Sequence, residues 1–193
     1  QGDVLLLRLA RQRSVLVEAL TVAMAATLMS FLEPVLPLHL HQVFAAGATE
    51  NGLVFGACVL AYGIVSPITG ALSDRLGRNL VSGVGLLGCA VVLPFLGLVP
   101  SLLWVGAVMA VFGALLALAL APTLAAMADV VSGLGSDFAS GYVITNTAYA
   151  GGMMLGPLAG GALMQGWGFN AALWAAALLS LLIGLTLLSS RRR

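Results

Sequence analysis

Between Glu50 and Asp129 the chain carries only three charged residues, Asp74, Arg75 and Arg78, and all three lie within five positions. On either side run uninterrupted uncharged stretches, residues 51–73 and 79–128, built mostly from Leu, Val, Ala and Gly. Apolar segments of about 18 residues or more predict helices that cross a membrane, because hydrocarbon offers the backbone no hydrogen-bond partner outside the helix itself. With 61% hydrophobic and 8% charged residues, a soluble domain of 193 residues is excluded. At roughly 20 residues per span, about six spans fit and leave no room for a further domain. The expected fold class is an all-α membrane protein. Its spans read as about 14–40, 51–72, 79–98, 102–127, 138–164 and 171–189, with a lead-in over 1–13 and a tail over 191–193.

All eight basic residues are arginine. Arg8, Arg11 and Arg13 precede the first span, Arg75 and Arg78 follow the second, and Arg191 to Arg193 follow the last. Six spans put all of them on one side, which the positive-inside rule makes the cytoplasm. Both termini are then cytoplasmic, and the protein is multi-pass in the plasma (inner) membrane. The arginines serve as topological anchors, and no nucleic-acid partner is expected. Gln1 is not a start residue and no leader precedes the first span, so the chain reads as a processed or excised piece. Cys58 and Cys89 fall within apolar runs and read as small core residues, not as a disulfide or metal pair; no cofactor is expected.

The two acids of the first span read differently. Glu18, near the cytoplasmic end, is expected to snorkel to the interface or to pair with Arg11 or Arg13. Glu33 lies deep in SFLEPVLPLHL with no base nearby, and an acid at that depth is a functional candidate by default. The alternative is a protonated Glu hydrogen-bonded inside a packed bundle. Pro34 and Pro37 are expected to kink the helix beside Glu33 and expose carbonyls. His39 to Glu50 reads as an outside loop, where His39 and His41 form a proton-sensing pair, half a metal site, or merely solvated side chains.

Gly52, Gly56, Gly63 and Gly70 make a smooth stripe along the second span, with Tyr62 and Ser66 as polar tips. The third span reads as peripheral and lipid-facing. The fourth breaks at Pro122 and ends at Asp129, which with Asp137 is expected to find Arg75 or Arg78. In the fifth, Gly152, Gly156 and Gly160 recur every four residues around Pro157 and are followed by Gly161. Trp167 and Phe169 read as interface aromatics of the last outside turn, and Trp174 is the one marked residue of the sixth span. Between the second and third spans, Gly70 and Gly77 of GALSDRLGR are expected to let the backbone approach and reverse, and Asp74 to cap a helix N-terminus.

Gly70, Leu72, Asp74, Arg75, Gly77 and Arg78 resemble the G-x-L-a-D-r-x-G-r signature between the second and third helices of each half of major facilitator superfamily transporters. The run from Gly152 to Gly161 matches G-x-x-x-G-P-x-x-G-G, which resembles the antiporter motif of the drug/proton exchangers in that superfamily. With FLEPVLPL added, the chain resembles the C-terminal half of a drug/proton antiporter, closest to the vesicular monoamine transporter branch. The resemblance implies two inverted three-helix repeats and one six-helix half of a proton-coupled antiporter. Its partners would be protons, a small organic substrate of cationic or drug-like character, membrane lipid, and a second half or a second copy in a homodimer. It places Glu33 and Tyr62 in a central cavity as proton-coupling and substrate residues, with Asn146 expected as a neighbouring polar contact. The other two acids of the branch fall at Asn146 and near Ala117, so both are absent. It also implies a cytoplasmic gate of Asp74, Arg75, Arg78 and Asp129, and a helix-packing motif of Gly152, Gly156, Pro157, Gly160 and Gly161. The second and fifth spans are expected to meet the partner half. The competing function is a non-transporting membrane scaffold or assembly subunit. An enzyme is not expected, since no Ser/His pair, paired aspartates or metal-ligand cluster lies at mid-membrane depth.

Overall fold

The computed structural model describes residues 11–135 and 138–190, which are helical apart from short connections, with no strand among them. The lead-in to residue 10, with Arg8, lies outside the described residues, as do Asp137 and the tail Arg191 to Arg193. Helix α1 covers Arg13–Phe44, α2 Ala48–Leu76, α3 Arg78–Val92 with a 3-10 turn over Leu93–Gly97, α4 Leu102–Leu120, α5 Thr123–Gly133 and α6 Phe138–Ser190. Five stretches are long and apolar enough to cross a membrane: Arg13–Phe44, Ala48–Leu76, Arg78–Gly97, Leu102–Gly133 and Phe138–Ser189. The last is interrupted at Gly168, whose φ of 81° and ψ of 172° are not helical.

The connections are tighter than the sequence leads one to expect. Helix α1 continues through both histidines, and the chain reverses over residues 45–47. Ala45 adopts a left-handed conformation there and donates to the His41 carbonyl at 3.1 Å, and Ala46 donates to that of Leu40 at 3.3 Å. The Glu50 carboxylate accepts from the Gly47 N–H at 2.9 Å and so closes the first turn of α2. Gly77 alone joins α2 to α3, at φ 98° and ψ 130°, a conformation that a side chain would strain. Pro122 divides α4 from α5.

Helix α1 packs against the first part of α6, α2 against α4, and α3 against both α4 and the end of α6. Leu28, Leu32, Leu36, Leu86, Leu93, Phe112, Leu116 and Leu173 form the shared core. Helix α3 is not the peripheral element expected. Of the most apolar window of each helix, 56% is buried in α3 and 17% in α2. Gly83 and Gly85 admit Leu188 and the backbone of Ala119, and Ser180 Oγ donates to the Leu86 carbonyl at 2.7 Å. Small residues let neighbours approach α3 closely, which is the contact that stabilises helices where lipid is as apolar as protein.

Candidate functional site

Glu33 of α1 is exposed among the described residues. Helix α6 packs along α1 with Gly152 on Ala23 and Ala26, Gly156 on Ser30 and Phe31, and Gly160 on Val35, whereas Glu33 and Pro34 themselves are exposed. Glu33 precedes Phe44 by eleven residues. At 1.5 Å per residue that is about 16 Å, half of a hydrocarbon core about 30 Å thick. Helix α1 runs unbroken through Pro34 and Pro37. Because a proline has no N–H, the carbonyls four residues earlier, those of Ser30 and Glu33, lose their helical donors. Glu33 therefore presents a carboxyl and a main-chain carbonyl that no backbone N–H of its own helix satisfies.

One turn before Glu33, on the same side of α1, Met29 reaches a cavity of about 210 Å³ shared with Cys58, Val59 and Tyr62 of α2, Leu116 and Leu120 of α4, and Tyr149 of α6. The second tyrosine escaped the sequence reading, although its position three residues after Asn146 puts the two on one helix face. The parallel register of α1 and α6 sets Asn146 apart from Glu33. Gly156 faces Ser30, so Asn146, ten residues earlier, lies level with Leu20. Glu33 and Asn146 are thus about 20 Å apart along the bundle at 1.5 Å per residue, and they do not share one site.

At the other end of the bundle Arg78, at the start of α3, reaches Asp129 of α5 at 2.8 Å and Asp74 of α2 at 3.4 Å. They border a polar cavity of about 340 Å³ that Ser73, Asn79, Ala126 and Val130 also line. Asp74 does not cap α3, which begins without a side-chain cap, because its carboxylate is turned to Arg78. Arg75 is exposed and makes no ion pair among the described residues. Glu18 corrects the sequence expectation: it neither snorkels nor meets Arg11 or Arg13, but is 1% exposed, with the Asn79 side chain as a polar neighbour. One turn earlier Val15 packs on Met127 and Val131, and the helical repeat carries Glu18 inward with it.

The two glycine stripes have opposite surroundings. A Cβ at Gly156 would lie 2.7 Å from the Phe31 nitrogen and 2.8 Å from the Thr27 oxygen, besides colliding with Ser30 Oγ. Thr27 and Ser30 hydroxyls each donate to the Gly152 carbonyl at 3.3 Å. Gly161, like Gly52, Gly56, Gly63 and Gly70, has nothing near its missing side chain. The stripe of Gly152, Gly156 and Gly160 therefore packs within the chain instead of meeting a partner half, and Gly70 makes no close backbone approach. Pro157 sits in α6 between Gly156 and Gly160. At the far end His39 stacks on Phe169 with centroids 3.6 Å apart, so Phe169 is buried, while His41 contacts the Ala46 carbonyl at 3.2 Å. The two histidines thus have separate partners. No cluster of potential metal ligands occurs among the described residues.

Residues 19–193 match the family described as the Major Facilitator Superfamily. The chain is 31% identical over 152 residues to the multidrug resistance protein MdtG of Klebsiella pneumoniae, covering 77% of this chain and 36% of that protein. It is 32% identical over 169 residues to the protein of that name from Citrobacter koseri, covering 85% and 41%. For that of Salmonella typhi the identity is 32% over 145 residues, covering 73% and 35%. The chain thus spans less than half the length of these relatives. Its apolar helices and a family match over nearly all of its length agree: the chain is a multi-pass membrane protein and belongs to the Major Facilitator Superfamily, a family of transporters and not of enzymes.

Proposed function

We propose that the chain is the C-terminal six-helix half of a proton-coupled antiporter for small cationic or drug-like molecules, related to the vesicular monoamine transporter branch. The other half is either the rest of a longer protein or a second copy of this chain. Six spans follow if α6 counts as two, since 53 residues of helix would run about 80 Å, far beyond one hydrocarbon core of about 30 Å. The pairings of α1 with the fifth span, α2 with α4 and α3 with the sixth support a reading as two inverted three-helix repeats, because exchanging the first three spans with the last three leaves this set of pairings unchanged. Arg11, Arg13, Arg75 and Arg78 then share a side, which the positive-inside rule makes cytoplasmic. The multidrug resistance relatives favour a drug-like substrate.

The observation that carries the reading is the placement of Glu33. An exposed acid at mid-depth, one turn from a cavity with two tyrosines, is costly in lipid and useful in a pathway completed by another half. Protonated, Glu33 is neutral and lets the empty carrier rearrange. Ionised, it holds a cation, with Tyr62 and Tyr149 as aromatic contacts in the cavity that begins a turn below at Met29. Asn146 lies farther along the route towards the cytoplasm. Asp74, Arg78 and Asp129 hold that side closed, with Arg75 at its rim. Glu33→Gln in the full transporter, reconstituted in vesicles, should abolish substrate-driven proton movement and weaken cation binding while the protein still folds. Exchange at the parent rate would overturn the assignment.

A further inference from the structure

Helices α2 and α4 pack side by side, so closely that a Cβ at Gly113 of α4 would collide with the Cys58 carbonyl of α2. Nearer their first turns the two helices leave a groove of about 650 Å³. Leu53, Val54 and Ala57 of α2 and Leu102, Leu103 and Ala107 of α4 form its walls, and Glu50 and Trp104, each in the first turn of its helix, stand at one end. Gly106 keeps it open, since a Cβ there would meet nothing within 4 Å. We propose that this groove binds a hydrophobic organic monocation, with the charged head between Glu50 and Trp104 and the apolar body along the walls. It shares no lining residue with the cavity of Tyr62 and Tyr149 and does not rest on the role given to Glu33.

Charge decides the chemistry of the head. The Glu50 carboxylate accepts from the Gly47 N–H at 2.9 Å and forms no ion pair among the described residues. No arginine or lysine stands between Arg13 and Arg75 or between Arg78 and Arg191, so neither helix has a basic side chain at this end to neutralise it. His39 and His41, at the end of α1, are taken by Phe169 and the Ala46 carbonyl. Trp104 is 59% exposed and offers an indole face, the aromatic surface that attracts cations most strongly. A phospholipid fits less well, because its phosphate finds no basic side chain here, and an uncharged chain leaves Glu50 unused. The walls are apolar throughout, so burial of the body supplies affinity and the acid supplies selectivity. The volume lies within the roughly 300–1,000 Å³ of small-molecule sites.

The probe is decyltrimethylammonium with a diazirine at its chain end, applied to the full transporter in vesicles. Photolabelling should fall within residues 53–57 and 102–107. The alcohol of the same chain, which lacks the charge, should label them about fivefold less, the difference expected for two unit charges in contact in water. Glu50→Gln keeps an acceptor for the Gly47 N–H and should cost the cation as much while leaving the alcohol unaffected. Trp104→Leu should cost the cation about threefold. Gly106→Leu fills the groove from a position that has room for it, and should abolish labelling by both. E33Q should change none of this, so failure of the exchange reading and failure of this site are told apart. Equal labelling by cation and alcohol, unaltered in E50Q, would make the groove a slot for lipid chains. Absence of labelling in the parent would mean that the other half covers it. Either result would overturn the proposal.

Discussion

Gly156 and Gly161 lie five residues apart in one motif, yet the same added methyl should affect them differently. At Gly156 it meets the backbone of Thr27 and Phe31, which cannot yield as a side-chain tip could. Gly156→Ala should therefore cost about 1–3 kcal/mol, read as a lower unfolding temperature in detergent. Gly161→Ala meets open space. It should be neutral or gain up to about 1 kcal/mol from helix propensity. The sequence shows the repeat of glycines but not which of them has a neighbour, because spacing marks a smooth face and nothing about what lies against it. The acids teach the same lesson. Glu18 and Glu33 sit in a helix apolar on nearly every side, so periodicity carries no information about its buried face. Depth alone made Glu33 the inner acid and Glu18 the interfacial one, whereas packing buries Glu18 and leaves Glu33 open.

Helix boundaries were legible where a residue type forces them. Gly77 is the plainest case, the single residue between α2 and α3 at positive φ. Gly77→Ala should destabilise the chain by more than about 1 kcal/mol, again by thermal unfolding. Pro122 likewise marks a real break, but Pro34, Pro37 and Pro67 leave their helices unbroken. Inside a bundle neighbouring helices can re-satisfy freed groups, and that compensation does not show in a single sequence. The ionic cluster belongs to this scale because it ties together the ends of α2, α3 and α5. Asp74 and Asp129 are each about two-thirds exposed, so each contact is worth less than about 1 kcal/mol. The shorter contact should matter more. Asp129→Asn should open the end of the bundle that holds this cluster by a few-fold in population, Asp74→Asn by less, and added salt should weaken both contacts. Accessibility of a thiol at Ala126→Cys, in the polar cavity, measures it. Equal, salt-independent labelling in all three proteins would contradict a latch.

At the scale of the whole molecule, α2 is the least covered of the long helices, and nothing among the described residues lies against its glycines Gly52, Gly56, Gly63 and Gly70. In the reading proposed above, a six-helix bundle with its mid-depth acid outside the core is half of a pathway. Because one carboxylate is to serve both ligands, proton and cation must exclude each other, and this competition is the central claim. The most direct measurement is the affinity of the full transporter for a lipophilic cation, with tetraphenylphosphonium as probe, across a pH series. In the acid range the apparent Kd should rise about tenfold for each unit the pH falls, the slope of a single competing proton, and E33Q should bind weakly with no such slope. A Kd that ignores pH in the parent, or an equal slope in E33Q, would contradict the account.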